Sequence, residues 1–243
     1  MKTIIIIPSR LQATRLPGKP LLKINNLSII SHVFRQAQKS NIGEAIVATE
    51  DQEIIDDVTK NGGNAILTSK NHKTGTDRIY EAFQKMNIKD VDLIMNLQGD
   101  EPAINVEDIV NLNKKMIKNH SQIGTLAAVI KDSSDLENEN IVKVITEKSL
   151  QEDYFPRAVS FLRKSENTKN IYHHIGIYIF NVSYLEKFVQ LEQTQNEKSQ
   201  NLEQLRLMDN NIEIDVGLAK TKPIGVDTDE DYLEIKKIME YKN

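Results

Sequence analysis

The amino-acid sequence predicts an α/β fold organised on a mostly parallel sheet. Two observations carry this. Strand-like and helix-like segments alternate through the first half of the chain, which is the signature of a parallel sheet joined by right-handed crossovers. The opening run, Thr3 to Ile7, is β-branched and apolar with no polar alternation, as in a strand covered on both faces.

The elements follow in order. Ser28 suits an N-cap before Ile29, Ile30, Val33 and Phe34, which recur at helical spacing. Ala45 to Ala48 reads as a second strand, and Asp51 to Lys60 as a helix stopped by Gly62-Gly63. Ala65 to Leu67 is a third strand, Thr76 to Met86 a helix and Asp92 to Leu97 a fourth strand. Val106 to Lys118 is a further helix and Thr125 to Ile130 a further strand. The second half loses this rhythm. Val142 to Thr146, Ile175 to Asn181 and Ile212 to Val216 read as strands, and Ser183 to Leu191 and Leu202 to Asp209 as helices. Glu192 to Asn201 is polar and reads as a surface turn, and Asp229 to Tyr241 as a last helix. Residues 1–243 are expected to form a single domain with an insertion at about 131–170.

Composition removes several function classes. Lys and Arg number 31 against 35 Asp and Glu, a formal charge of -4, so no nucleic-acid or membrane partner is expected, and any anion site must be local. There is no Cys, which excludes disulfides, thiolate catalysis and Cys-based metal centres. No apolar run approaches the roughly 20 residues of a membrane span, and the start lacks a signal-peptide pattern. A cytoplasmic location is expected.

The first chemical motif directly follows the first strand, where open α/β sheets bind ligands: Pro8-Ser9-Arg10-Leu11-Gln12-Ala13-Thr14-Arg15-Leu16-Pro17-Gly18-Lys19-Pro20. Arg10, Arg15 and Lys19 are three cations within ten residues, and Thr14 and Gly18 leave backbone N–H groups accessible. Forked guanidinium groups and a mobile ammonium are what a polyphosphate needs. The segment is neither a P-loop, since Ala13 and Pro20 break that pattern, nor a dinucleotide fingerprint, since Gly18 is the first glycine.

Asn96-Leu97-Gln98-Gly99-Asp100-Glu101-Pro102 ends the fourth strand, and a carboxylate there beside a triphosphate suits Mg²⁺, with Asp100 nearest the strand end. In Gly225-Val226-Asp227-Thr228-Asp229-Glu230-Asp231, Thr228 and Asp229 are read as capping the last helix, while Asp227 is available as a second metal carboxylate. In Thr74-Gly75-Thr76-Asp77-Arg78, Arg78 sits in a first turn, against the helix dipole. It is either functional or a surface residue paired with Asp77 or Glu81. Arg157, His173, His174, Glu203, Gln204 and Arg206 form a last group; Arg157 with a histidine suits an anionic substrate, but spacing does not decide it.

Taken in order, Arg10 to Pro20, Thr74 to Arg78, Asn96 to Pro102, His174-Ile-Gly-Ile-Tyr178, Leu202-Glu-Gln-Leu-Arg206 and Gly225 to Thr228 closely resemble the 3-deoxy-manno-octulosonate cytidylyltransferases over nearly the whole chain. The resemblance implies a Rossmann-like nucleotide-diphospho-sugar transferase fold. It implies a Mg²⁺-dependent nucleotidyltransferase that joins CTP to 3-deoxy-D-manno-octulosonate (KDO), releasing pyrophosphate, for lipopolysaccharide synthesis. It implies a homodimer, with the insertion a candidate interface. Arg10, Lys19 and Asp100 would be catalytic. Arg10, Arg15, Lys19, Arg78 and Gln98 would bind CTP, and Asp100 and Asp227 the metal. Arg157, His174, Tyr178 and Gln204 would bind a 2-keto-3-deoxy sugar acid. One departure bears on the acceptor: after Arg157 the chain runs Ala158-Val159-Ser160-Phe161-Leu162-Arg163 where relatives carry a Pro-Trp segment. An 8-amino-KDO or a sialic-type acid therefore stays open as acceptor, as does a non-catalytic nucleotide-binding protein.

Overall fold

The computed structural model describes residues 1–12, 15–165, 169–222 and 224–241. In chain order the elements are β1 (Thr3–Ser9), β2 (Lys23–Ile24), β3 (Leu27–Ser28), α1 (Ile29–Ser40), β4 (Gly43–Thr49), α2 (Gln52–Lys60), β5 (Ala65–Leu67), α3 (Gly75–Met86) and β6 (Leu93–Asn96). Then come α4 (Val106–Asn119), β7 (Ile123–Ala128), α5 (Ser134–Glu137), β8 (Lys143–Thr146), β9 (Ala158–Leu162), β10 (Ile171–Asn181), α6 (Val182–Gln190), α7 (Gln195–Gln200), α8 (Leu205–Asp209), β11 (Asp215–Leu218) and α9 (Asp229–Glu240). They divide into two compact units, residues 2–110 with 223–243, and residues 111–222 with Met1.

The first unit holds the alternation expected from the sequence. Its strands run β5, β4, β1, β6, all parallel. Ile4 to Ile7 are at most 1% exposed, so β1 is covered on both faces, as its unbroken apolar run requires. The helices start where capping chemistry allows. The Ser28 side chain accepts from Ser31 N–H at the head of α1. Thr74 and Asp77 form a reciprocal capping box on α3, and Thr228 and Asp231 another on α9. Leu16, Ile24, Ile29, Val226 and Ile235 share one buried cluster. That cluster brings the end of the chain back against the loop after β1, and a bond from Val226 N–H to the Asp100 carbonyl (2.9 Å) fixes the approach. Hydrophobic packing thus sets Asp227 beside Asp100 although the two are far apart in sequence.

In the second unit the strands run β11, β7, β10, β8, β9; β11 and β7 are parallel and the other pairs antiparallel. The break in rhythm expected near residues 131–170 is visible here as α5, β8 and β9. The strand read at Ile212 to Val216 forms at Asp215–Leu218 instead. The expected surface turn at Glu192 to Asn201 is a correction. It contains helix α7, capped by Thr194, and buries Glu197. The Thr-x-x-Glu spacing of a cap was present in the sequence.

Candidate active site

One cleft of about 330 Å³ in the first unit is lined by Ser9, Arg10, Gln12, Arg15, Lys19, His72, Lys73, Thr74, Gly75, Arg78, Gln98, Gly99, Asp100 and Asp227, with Pro8 and Pro20. Every residue assigned from the sequence to CTP or metal is in this lining. The cleft lies beyond the carboxyl end of β1, as an open parallel sheet requires.

The loop after β1 is fastened at both ends. Leu11 N–H donates to Asp51 Oδ2 at 2.7 Å, and Gly18 N–H donates to the Leu11 carbonyl at 3.1 Å. Gly18 sits at φ 71°, a left-handed conformation that favours glycine, and starts the 3-10 turn carrying Lys19. Thr14, whose N–H was expected to face a ligand, lies outside the described residues. The floor of the cleft depends on close backbone approach. A Cβ added to Gly99 would sit 2.8 Å from the Pro8 carbonyl oxygen.

Lys19 is the electrostatic centre. Its Nζ donates to Asp100 Oδ2 (2.7 Å), the Val226 carbonyl (2.8 Å) and Asp227 Oδ1 (2.9 Å), which uses all three of its protons. Burial alone would lower its pKa, but the two carboxylates outweigh burial and raise it above the usual lysine value. Arg15 donates from Nη2 to Asp227 Oδ2 at 2.9 Å, while Arg10 is exposed. Among the described residues no cluster of three or more His, Asp or Glu could hold a metal. Two carboxylates already converging on one cation do, however, match the small protein donor set of Mg²⁺, whose shell is otherwise completed by phosphates and water.

Arg78 is neither a surface residue nor paired with Asp77 or Glu81. Its side chain is 4% exposed; it forms a short ion pair with Glu50 and donates to Thr68 Oγ1 at 2.7 Å. It therefore reaches the cleft as a braced wall. His72 and Lys73 were not singled out from the sequence, although they directly precede the Thr74-Gly75-Thr76 motif. His72 pairs with Glu81. Burial would raise the Glu81 carboxyl, but bonds from Lys85, Ser69 N–H and His72 prevail and hold it at about 2.

All four residues assigned to the sugar acid lie in the second unit, and two of them meet there. The His174 and Tyr178 rings lie 5.4 Å apart, and Phe161 meets His174 edge-on at 5.0 Å. Gln204 is buried at the head of α8, next to Glu203, whose charge acts on Tyr178. Arg157 instead pairs its half-exposed guanidinium with Glu213 at 2.7 Å. Phe161 comes from the segment after Arg157 that the sequence already set against the acceptor. Thr125, which bonds His174 Nε2 at 3.0 Å across 49 positions, was missed.

Comparison with known proteins agrees with this geometry. The cytidylyltransferase family profile matches residues 4–214. A 3-deoxy-manno-octulosonate cytidylyltransferase of Thermodesulfovibrio yellowstonii is 42% identical, over 95% of both chains. One of Rhodopseudomonas palustris is 39% identical, over 98% of both. A solved structure of CMP:2-keto-3-deoxy-manno-octonic acid synthetase complexed with CTP superposes with a TM-score of 0.90 at 32% identity, over the full length of both chains. An apo UDP-glucose pyrophosphorylase shares the fold, with a TM-score of 0.76 at 14% identity over 100% of this chain and 99% of that one. The chain belongs to the cytidylyltransferase family, and within it to the 3-deoxy-manno-octulosonate cytidylyltransferases.

Proposed function

We propose that the protein transfers the cytidylyl group of CTP to KDO and releases pyrophosphate. The convergence of Lys19 and Arg15 on Asp100 and Asp227, in the cleft beyond β1, is the observation that carries the reading. The anomeric hydroxyl of the sugar acid attacks the α-phosphorus, the bond to the β-phosphate oxygen breaks, and the hydroxyl proton is released. Such a transfer calls for alignment and charge neutralisation more than for a covalent intermediate. Arg10, Arg15 and Lys19 bind the triphosphate and neutralise the charge that builds on departing pyrophosphate. Asp100 and Asp227 hold Mg²⁺, which when bound supplies Lewis-acid polarisation of the phosphate oxygens. Lys19 keeps the two carboxylates together. Arg78 and Gln98 shape the nucleotide wall, and His174, Tyr178 and Gln204, with Arg157 for the carboxylate, receive the sugar acid. We further assign the protein to the cytoplasm, as a homodimer serving lipopolysaccharide synthesis.

A second reading, the same transfer to another 2-keto sugar acid, rests on Phe161. It comes from the segment after Arg157 that departs from the family, and it touches His174. Turnover across KDO, 8-amino-KDO and N-acetylneuraminate separates the two. The metal assignment has its own test: Asp100→Asn should lower kcat by at least about 100-fold, the scale of losing one preorganised electrostatic group, with the fold retained. Turnover near wild type would remove Asp100 from the mechanism.

A further inference from the structure

The pairing of β10 with β7 is irregular between Ile175 and Tyr178, where Tyr178 faces Thr125. Thr125 is fully buried beneath this irregularity. Its hydroxyl oxygen lies 2.7 Å from the Ile177 carbonyl, 3.2 Å from the Ile175 carbonyl and 3.0 Å from His174 Nε2. A hydroxyl has one proton to give, and carbonyls only accept. The short contact to Ile177 takes that proton. Oγ1 is then an acceptor toward the imidazole, so Nε2 must carry a hydrogen. Reversing the bond would strip a buried carbonyl of its shortest partner, a costly exchange. Burial, then His173, pushes the His174 pKa down to about 3, so the ring is neutral and Nδ1 bears a lone pair.

We infer that Thr125 is a specificity-determining positioning residue: it locks His174 as the neutral Nε2–H tautomer, so that Nδ1 accepts a hydrogen bond from a hydroxyl of the sugar acid. A lone pair at that point repels a carboxylate. His174 therefore reads a hydroxyl, and the acid group of the substrate must be bound elsewhere. The inference rests on the proposed function only in naming a sugar acid as the ligand; the hydrogen on Nε2 follows from the Thr125 contacts, and the neutrality of the ring from its burial.

Long-range ¹H–¹⁵N correlation spectra of the histidine-labelled protein, with His174→Gln for assignment, test it without turnover. At neutral pH, Nε2 of His174 should be pyrrole-type and Nδ1 pyridine-type. Thr125→Val should mix or reverse that pattern. It should also raise KM for the sugar acid on the order of tenfold, the usual scale for one buried hydrogen bond, while KM for CTP and kcat hold within about twofold. Thr125→Ser should preserve both the pattern and KM. A protonated ring or an Nδ1–H tautomer in the wild type overturns the inference, whether or not the valine variant folds. So does a valine variant with unchanged nitrogen pattern and KM, or a serine variant that behaves like valine. The expected nitrogen pattern with no turnover on any sugar acid would strike the functional reading and leave the Thr125–His174 assignment standing.

Discussion

Arg206 gives the strongest stability prediction. It donates from Nε to Glu197 Oε2 at 2.8 Å and from Nη2 to Oε1 at 2.6 Å, and the two side chains are 3% and 4% exposed. The guanidinium also lies 4.2 Å from the Phe188 ring centre. Arg206→Met keeps most of the packing on Phe188 but leaves a buried carboxylate whose remaining side-chain partner is Gln193 at 3.0 Å. Breaking one side of a buried pair costs about 3–5 kcal/mol. At about 2–4 °C per kcal/mol for a chain of this size, Tm should fall by roughly 6–20 °C. Arg206→Met with Glu197→Leu should recover most of the loss, since the unpaired charge goes too. Scanning calorimetry and urea titration at pH 7 measure both. A single-variant loss under about 1 kcal/mol, or a double variant as unstable as the two singles added, would refute the reasoning. The pH dependence has a definite sign. Burial raises the Glu197 pKa, but Arg206 and Gln193 outweigh it, so the folded value lies below the ordinary one. The pair's contribution is therefore present above the unfolded carboxyl value and is lost as pH falls through the folded one. The double variant should be less acid-sensitive than the wild type.

Other outcomes follow from the cleft. Burial, then the Asp100 carboxylate, pushes Glu101 up to about 8, so it is protonated at neutral pH. Its contribution is complete below about 4.5 and is lost as pH rises through 8. Between those limits the wild type should lose up to about 5 kcal/mol that Glu101→Gln does not, and parallel pH–stability curves would contradict this. Gly99→Ala puts a methyl 2.8 Å from the Pro8 carbonyl oxygen and must displace the cleft floor. Titration calorimetry should show CTP affinity at least about tenfold weaker, a shift of about 1.4 kcal/mol, and unchanged affinity would mean the floor relaxes freely.

The first unit was largely legible in the sequence because its signals are local. The Thr3 to Ile7 run, the Ser28 and Thr228 caps and the cation-rich loop each act within a few residues, and the structure assembles them as β1, two helix starts and one cleft. What stayed hidden depends on distant partners. Glu50 claims Arg78 from 28 positions away, so neither sequence neighbour of Arg78 pairs with it. Thr125 meets His174 across 49 positions, through an irregularity in strand pairing that no residue pattern announces. In α7 the cap was readable, but the polar run concealed that Glu197 turns inward to Arg206.

The most direct test of the function is pyrophosphate release by the purified protein with Mg²⁺, CTP and KDO, with ATP in place of CTP as control. Stoichiometric release with CTP, little with ATP, and loss on chelating the metal is the predicted result. CTP binding without pyrophosphate release on any sugar acid would contradict it, and would make the cleft a nucleotide-binding site without transfer chemistry.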